Sequence, residues 1–215
     1  MKITEPKISK VLTEGASLSE VLNPLMQNDD EVFRDFLFSD QTVEEVSLSG
    51  VEFSGCMFKN CKFVNCDMVK AFFVDCAFEA CDLSNVDMHE ASFIRVKFSN
   101  CRLVGSNLTY SSLNNTTVCD CNCRYSNMSS CSAKSTLFDS CDMTSAYMAD
   151  MQLKSVTWDK CRLVEAEFLH TSLNGIDMRT NDISGMLLTG PELKGAIVTA
   201  QQACELSRLL GVTIK

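Results

Sequence analysis

A chain of 215 residues that is 46% hydrophobic can bury one continuous core, so neither a disordered chain nor a disulfide-stapled miniprotein is indicated. Its net charge of −9 disfavours nonspecific binding to nucleic acid or membranes, which needs a basic surface, and favours a partner that carries a basic patch. No apolar run of 18 residues occurs, and none follows the lysines of MKITEPKISK, so neither a membrane span nor a signal peptide is expected and a cytoplasmic protein is the default reading.

In chain order, residues 1–30 come first and are expected to cap one end of the periodic region that begins at residue 31. Ser17 and Glu20 have the spacing of a capping box, Pro24 would interrupt a helix begun there, and ASLSE at 16–20 reads equally as a stray repeat. From residue 31 to 200 the chain is periodic, with a period of five. The first three units, centred on Phe33, Phe38 and Val43, are degenerate, because the positions two before each centre are large or polar.

From Val46 to Ala200 the frame VSLSG VEFSG CMFKN CKFVN CDMVK continues without insertion through 31 pentapeptides. With the central residue called i, every centre is apolar if Cys123 and Ala133 are counted. Position i−2 is Ala, Ser, Cys, Thr or Val in 26 of 31 units, the exceptions being Met151, Ile176, Asn181, Met186 and Pro191. Seven of the nine glycines occupy i+2, where a turn favours them. Two inward positions in five match neither the helical nor the strand period, and they describe a chain that turns a corner every five residues.

This pattern resembles the pentapeptide-repeat family, whose consensus A(D/N)LXX is approached most closely by CDLSN at 81–85, SNLTY at 106–110 and CDMTS at 141–145. The resemblance implies an all-β solenoid, a right-handed quadrilateral β-helix with four pentapeptides per coil, so residues 20 apart stack. Columns at that spacing are coherent: Cys61, Cys81, Cys101, Cys121, Cys141 and Cys161 form one, and Phe58, Phe78, Phe98, Val118, Phe138 and Trp158 another. At about 4.8 Å per coil the rod is roughly 37 Å long.

Residues 201–215 are expected to form a C-terminal helix and tail. Thr199 and Gln202 make a capping box, Ala203, Leu206, Leu209 and Leu210 come next at helical spacing, and Gly211 stops the helix. In the quinolone-resistance branch of the family the corresponding helix also mediates dimerisation. Leu206, Leu209 and Leu210 form a strip too broad for the terminal coil alone to cover, so a homodimer joined near residues 196–215 is expected.

The 13 cysteines are expected to be reduced, since ten of them fill i−2, a small and nearly apolar core position. Parallel stacked side chains lack the convergent geometry of a zinc site or a disulfide, so no metal is expected. Cys119, at i+1, is the one thiol of the solenoid expected to face solvent. The two histidines, His89 and His170, fall four coils apart, roughly 19 Å, and no HExxH, GxSxG or phosphate-binding loop is present. No catalytic residue and no cofactor are therefore expected, and the chain reads as a binding protein.

The outward residues distribute charge unevenly. On the face centred on Leu48, Met68, Met88, Leu108, Met128, Met148, Phe168 and Leu188, the acids Asp67, Asp87, Glu90, Asp150 and Glu167 stand against Lys70, a sum of −4 where the other faces carry +1, −1 and 0. The family resemblance implies a DNA-mimicking interactor of DNA gyrase or topoisomerase IV that meets its protein partner through such a face and does not bind nucleic acid directly. The uninterrupted frame departs from plasmid-borne members, whose coils carry projecting loops. The alternative is an interaction scaffold for another protein, using the outward apolar cluster Phe72, Val74 and Ile94.

Overall fold

The computed structural model describes residues 3–18 and 32–212. Glu20 of the N-terminal capping box lies outside them. Within them the pentapeptide frame becomes a right-handed parallel β-solenoid whose continuous ladders make about six turns, closed by one short C-terminal helix. The register is 20 residues throughout: Phe33 pairs with Phe53, Phe53 with Phe73, Phe73 with Phe93, and Phe38, Phe58, Phe78 and Phe98 obey the same rule on the next face. The three units treated as degenerate are full members, with Phe33, Phe38 and Val43 buried.

The four faces are not equivalent. Those centred on Phe53 and Phe58 are built of three-residue strands as far as Cys119 and then of two eight-residue strands, Ser132–Asp139 and Gln152–Asp159, that run across both faces. The face centred on Met68 instead consists of single bridges, mostly closed by turns in which the residue at i+3 donates to the carbonyl of i, as Ala71 does to Met68 (3.1 Å). The face centred on Phe63 starts as strands and becomes bridges from Leu83 onward. At every corner from Asp35 to Gly175 the i+2 residue is left-handed, with φ between 50° and 76°. Glycine adopts that conformation freely and β-branched side chains do not. Thr180 is the one β-branched residue at i+2 between residues 35 and 195 and is the one such corner that is not left-handed; its hydroxyl accepts from Lys160 N (3.3 Å).

The interior is filled. Phe53, Phe73 and Phe93 stack at 5.3 Å with near-parallel rings, Phe58, Phe78 and Phe98 stack at 4.5 and 4.8 Å, and the two columns meet edge to face. Such offset and T-shaped contacts add to area burial. Trp158 stacks on Phe138 at 5.5 Å, and its buried Nε1–H has no partner among the described residues.

Both ends are closed by groups that replace the missing coil, side chains at the C-terminal end and mainly backbone at the other. Gln202, buried in helix α1 (Ala200–Leu206), donates through Nε2 to the carbonyls of Met178 and Asn181, both at 2.9 Å, while its Oε1 and the Thr199 hydroxyl complete the expected capping box. The helix then tightens to a 3-10 turn, Ser207–Leu210, ended by left-handed Gly211. The His170 amide, which by the pattern of Asp150 N to Leu169 O would meet the carbonyl of Thr189, donates instead to Glu192 Oε1 (3.1 Å). At the other end Thr13 N donates to Asp35 O (2.8 Å), Leu37 N donates to Thr13 O (3.0 Å), and Leu18 is buried against the core. No helix among the described residues is long and apolar enough to cross a membrane.

Candidate partner-binding surface

The cysteine column is interior, and its chemistry is more particular than small size. Cys61, Cys81, Cys101, Cys141 and Cys161 each donate S–H to the centre carbonyl 23 residues earlier, at 3.3 or 3.4 Å. Thr116, Thr136 and Thr171 use their hydroxyls in the same way, and Asn181 its Nδ2, toward Trp158 O (2.9 Å). At these positions i−2 thus donates to a centre carbonyl, and Asn181 obeys the same rule; Thr171 serves the Met148 carbonyl of the turn-closed face, and Cys121 is an exception, its Sγ accepting from Cys101 N (3.3 Å). The rule needs the 23-residue contact, which a period of five does not display. Burial pushes the Cys66 thiol up, and the Cys131 thiol up to about 11, so these are not thiolates at neutral pH. Cys119 is half-buried, its Sγ pointing to Phe98 O (3.4 Å), and burial raises its pKa as well. Cys119 is thus the one solenoid cysteine that is not fully buried, although it is half-buried rather than open to solvent; the fully exposed thiol is Cys204, outside the solenoid on α1. The described residues contain no group of His, Cys, Asp and Glu able to hold a metal ion.

On the acidic face the i−1 residues form one column, bridged in register from Ser47 through Asp67, Asp87, Asn107, Asn127, Tyr147 and Glu167 to Leu187. Asp67 and Asp87 are direct neighbours across adjacent coils, a like-charge pairing that costs stability. Ser47 Oγ donates to Asp67 (3.0 Å), and Asn107 Nδ2 and the His89 amide donate to Asp87 (2.8 and 3.1 Å). Glu90 is partly compensated by Lys70 Nζ (3.5 Å) and His89 Nε2 (3.0 Å), and Asp150 stands 3.2 Å from His170 Nδ1. No ion pair among the described residues involves Asp67, Asp87 or Glu167. The face thus presents three acids in one column with no ion pair among the described residues, while Glu90 is paired to Lys70 and Asp150 is in hydrogen-bond contact with His170.

The apolar cluster is divided. Phe72 is 47% exposed, but Val74 and Ile94, in register on adjacent strands, are half-buried. At the corner ending this face, Thr4 N donates to Asn115 Oδ1 (3.1 Å) and Lys7 N to Asp75 Oδ1 (2.9 Å), so residues 4–13 run along the rod from the coil of Asn115 down to that of Asp35. Asp75 is held in turn by Arg95, bidentate at 2.6 Å. Nothing in the sequence pattern announces this strap.

The three leucines assigned to dimerisation have different environments. Leu206 is buried in the monomer, Leu209 is half-buried, and Leu210 is 79% exposed, near Val212 at 51%. An open cleft of about 540 Å³ lies between α1 and the terminal coil, lined by Pro191, Leu193, Val198, Leu206, Leu209 and Leu210.

A pentapeptide repeat region model matches residues 51–113, 71–138 and 91–168, more than half of the chain. The chain belongs to the pentapeptide-repeat family. QnrB1, a plasmid-mediated fluoroquinolone resistance protein, matches in structure at 17% identity with a TM-score of 0.45, over 83% of this chain and 99% of its own. HetL, a pentapeptide repeat protein involved in regulating heterocyst differentiation in a Nostoc cyanobacterium, matches at 16% identity and a TM-score of 0.38, over 86% of this chain and 98% of its own. A pentapeptide repeat protein of the Arabidopsis thaliana thylakoid lumen matches at 20% identity and 0.31, over 45% and 67%. No curated protein matches in sequence.

Proposed function

We propose that this pentapeptide-repeat protein is a non-enzymatic binding protein whose acidic face engages a basic surface of a protein partner. The observation that carries the reading is the column holding Asp67, Asp87 and Glu167, three carboxylates with no ion pair among the described residues, on one side of a filled rod. The stacked pair Asp67 and Asp87 costs stability unless something offsets it, and a basic partner surface would do so while speeding association. The partner class comes from the resemblance to the quinolone-resistance branch: a type II topoisomerase, DNA gyrase or topoisomerase IV, whose DNA-binding surface the rod would occupy as a DNA mimic. QnrB1 is itself described as a fluoroquinolone resistance protein. A supercoiling assay with purified gyrase, with and without a fluoroquinolone, tests this. Inhibition or rescue at micromolar protein is expected, and neither effect would remove gyrase as the partner.

A second reading, a scaffold that binds another protein through the Phe72 edge, is favoured by the exposure of that ring. Phe72→Ser would then abolish recovery of a partner that the acidic-face variants still recover. For assembly, a homodimer through the C-terminal end is proposed, with Leu210 and Val212 entering the partner copy's apolar cleft and Leu206 assigned to the monomer core.

A further inference from the structure

The acidic face does not end as it begins. Its column is carboxylate at Asp67 and Asp87 but turns aromatic and aliphatic at Tyr147 and Leu187, which are 47% and 51% exposed on either side of Glu167. Between this stretch and the C-terminal turn lies an open cleft of about 550 Å³, lined by Tyr147, Glu165, Glu167, Leu187, Arg208 and Leu209 over buried Met186 and Leu188. Glu165 takes one hydrogen bond, from Ser145 Oγ to its Oε2 (3.3 Å). The one cation of the lining, Arg208, directs its Nη2 to the Met186 carbonyl (3.3 Å) and pairs with neither glutamate. The cleft therefore has aliphatic walls, an exposed phenol ring and two carboxylates at one corner of the coil.

A phenol ring and a carboxylate also occur together elsewhere on this protein with a cation in place. Arg124 lies 5.5 Å from the centroid of the Tyr125 ring and 3.7 Å from an Asp142 carboxylate oxygen. A guanidinium suits such a setting because its flat face lies on an aromatic ring while its N–H fork meets a carboxylate and its methylene stem packs on aliphatic groups. An ammonium matches the charge but not the plane.

We propose that the Tyr147–Glu167–Leu187 cleft is an anchoring pocket for an arginine side chain, flanked by apolar residues, of the protein partner. The proposal rests on reading the acidic face as the contact surface, and it adds to that diffuse charge one site with a defined occupant. Charge complementarity selects the occupant, since the two carboxylates outnumber the one lining cation, Arg208, which is turned to the Met186 carbonyl, and stand beside an apolar wall on a chain of net charge −9.

The test uses the full chain and the capped tripeptide acetyl-Leu-Arg-Leu-amide, with its citrulline counterpart, which keeps the shape and removes the charge. Methyl resonances of Leu187 and Leu209 are monitored by NMR during titration. The arginine peptide should shift them saturably, and the citrulline peptide should bind at least about tenfold more weakly, as expected for loss of a charge-assisted hydrogen bond. Glu165→Gln with Glu167→Gln should lose a similar factor, Tyr147→Ala should weaken binding with the β signal intact, and Asp67→Asn with Asp87→Asn, at the far end of the face, should change nothing. Equal affinity for the two peptides, no saturable shift, or full binding by the double glutamine variant would overturn the pocket. If the peptide fails while Asp67 and Asp87 still govern capture of the protein partner, the pocket alone is wrong; if the peptide binds while those two are silent toward the partner, the face is wrong and the pocket stands.

Discussion

At the scale of single residues, the fold depends on what each of the five positions must do. The centre must fill space, and Phe78, stacked between Phe58 and Phe98, shows how much. Phe78→Ala should destabilise by about 3–5 kcal/mol, the usual cost of deleting a packed aromatic, while Glu79→Ala, one step outward, should be nearly silent in the same denaturant titration. Position i−2 must fill space, and where it is Cys, Thr or Asn it can also donate; Val96 and Val156 only fill. Cys141→Ala removes the S–H donor to the Val118 carbonyl, so it should cost about 1 kcal/mol or more, whereas Cys141→Thr, which supplies a hydroxyl as Thr136 does, should recover most of it. Equal losses for alanine and threonine would mean that the column is merely small. The inward positions and the preference for glycine at i+2 are legible in the sequence because they recur every five residues. The donor rule is not, because its partner lies 23 residues away. The left-handed corner is visible only as an avoidance: i+2 accepts Asn, Asp, Ser, Lys, Tyr and His but, apart from Thr180, no β-branched residue.

At the scale of elements, the repeat predicts the ladder, and the ends depend on individual side chains. The capping box at Thr199 and Gln202 reads directly from residue spacing, but the insertion of Gln202 between the Met178 and Asn181 carbonyls does not, because a helix-capping residue is not expected to plug a solenoid as well. Glu192 is the sharper case. It is buried, and burial alone would raise its pKa; backbone N–H groups of its own residue, His170 and Gly190, with the Thr189 hydroxyl, override that and hold it at about 2. A carboxyl lowered from its ordinary value near 4.5 stabilises the fold fully above that value, and the contribution is lost as pH falls toward 2. Wild type should therefore lose roughly 2 kcal/mol of stability between about pH 5 and pH 2 from this group, a loss that Glu192→Gln should not show, since it has already forfeited the charge. Parallel pH profiles for the two proteins would show that the carboxylate does not replace the missing rung. The strap at residues 4–13 is not legible at all, because it is held by backbone N–H groups donating to Asn115 and Asp75, which carry no pattern in the strap's own sequence.

At the scale of the whole molecule, the rod has a filled interior, so function must lie on its outside and at its ends. Its C-terminal end leaves Leu210 and Val212 exposed beside an apolar cleft, an arrangement that a two-fold contact would bury without propagating into a filament. Light scattering at tens of micromolar should give a mass near two chains, and Leu210→Glu with Val212→Glu should give one chain with the β signal unchanged. A wild-type mass of one chain would remove the dimer. The selective charge of one face is legible once the frame assigns each residue a side. The juxtaposition of Glu90 with Lys70 and of Asp150 with His170 is legible too, since each pair stacks 20 residues apart at i+2, and only their distances depend on the folded chain.

If the acidic column, and not acidity in general, makes the contact, charge removed from that column must matter more than the same charge removed elsewhere. Asp67→Asn, Asp87→Asn and Glu167→Gln together remove three charges from the column, and Glu44→Gln, Glu52→Gln and Asp120→Asn remove three from other faces. Binding of each variant to immobilised gyrase, measured at fixed salt, decides the matter directly. The column variant should bind at least about tenfold more weakly than wild type and the control within about twofold, because a facing basic surface is lost in one case and only net charge in the other. Equal weakening of the two, or none in either, would contradict the acidic column as the contact surface.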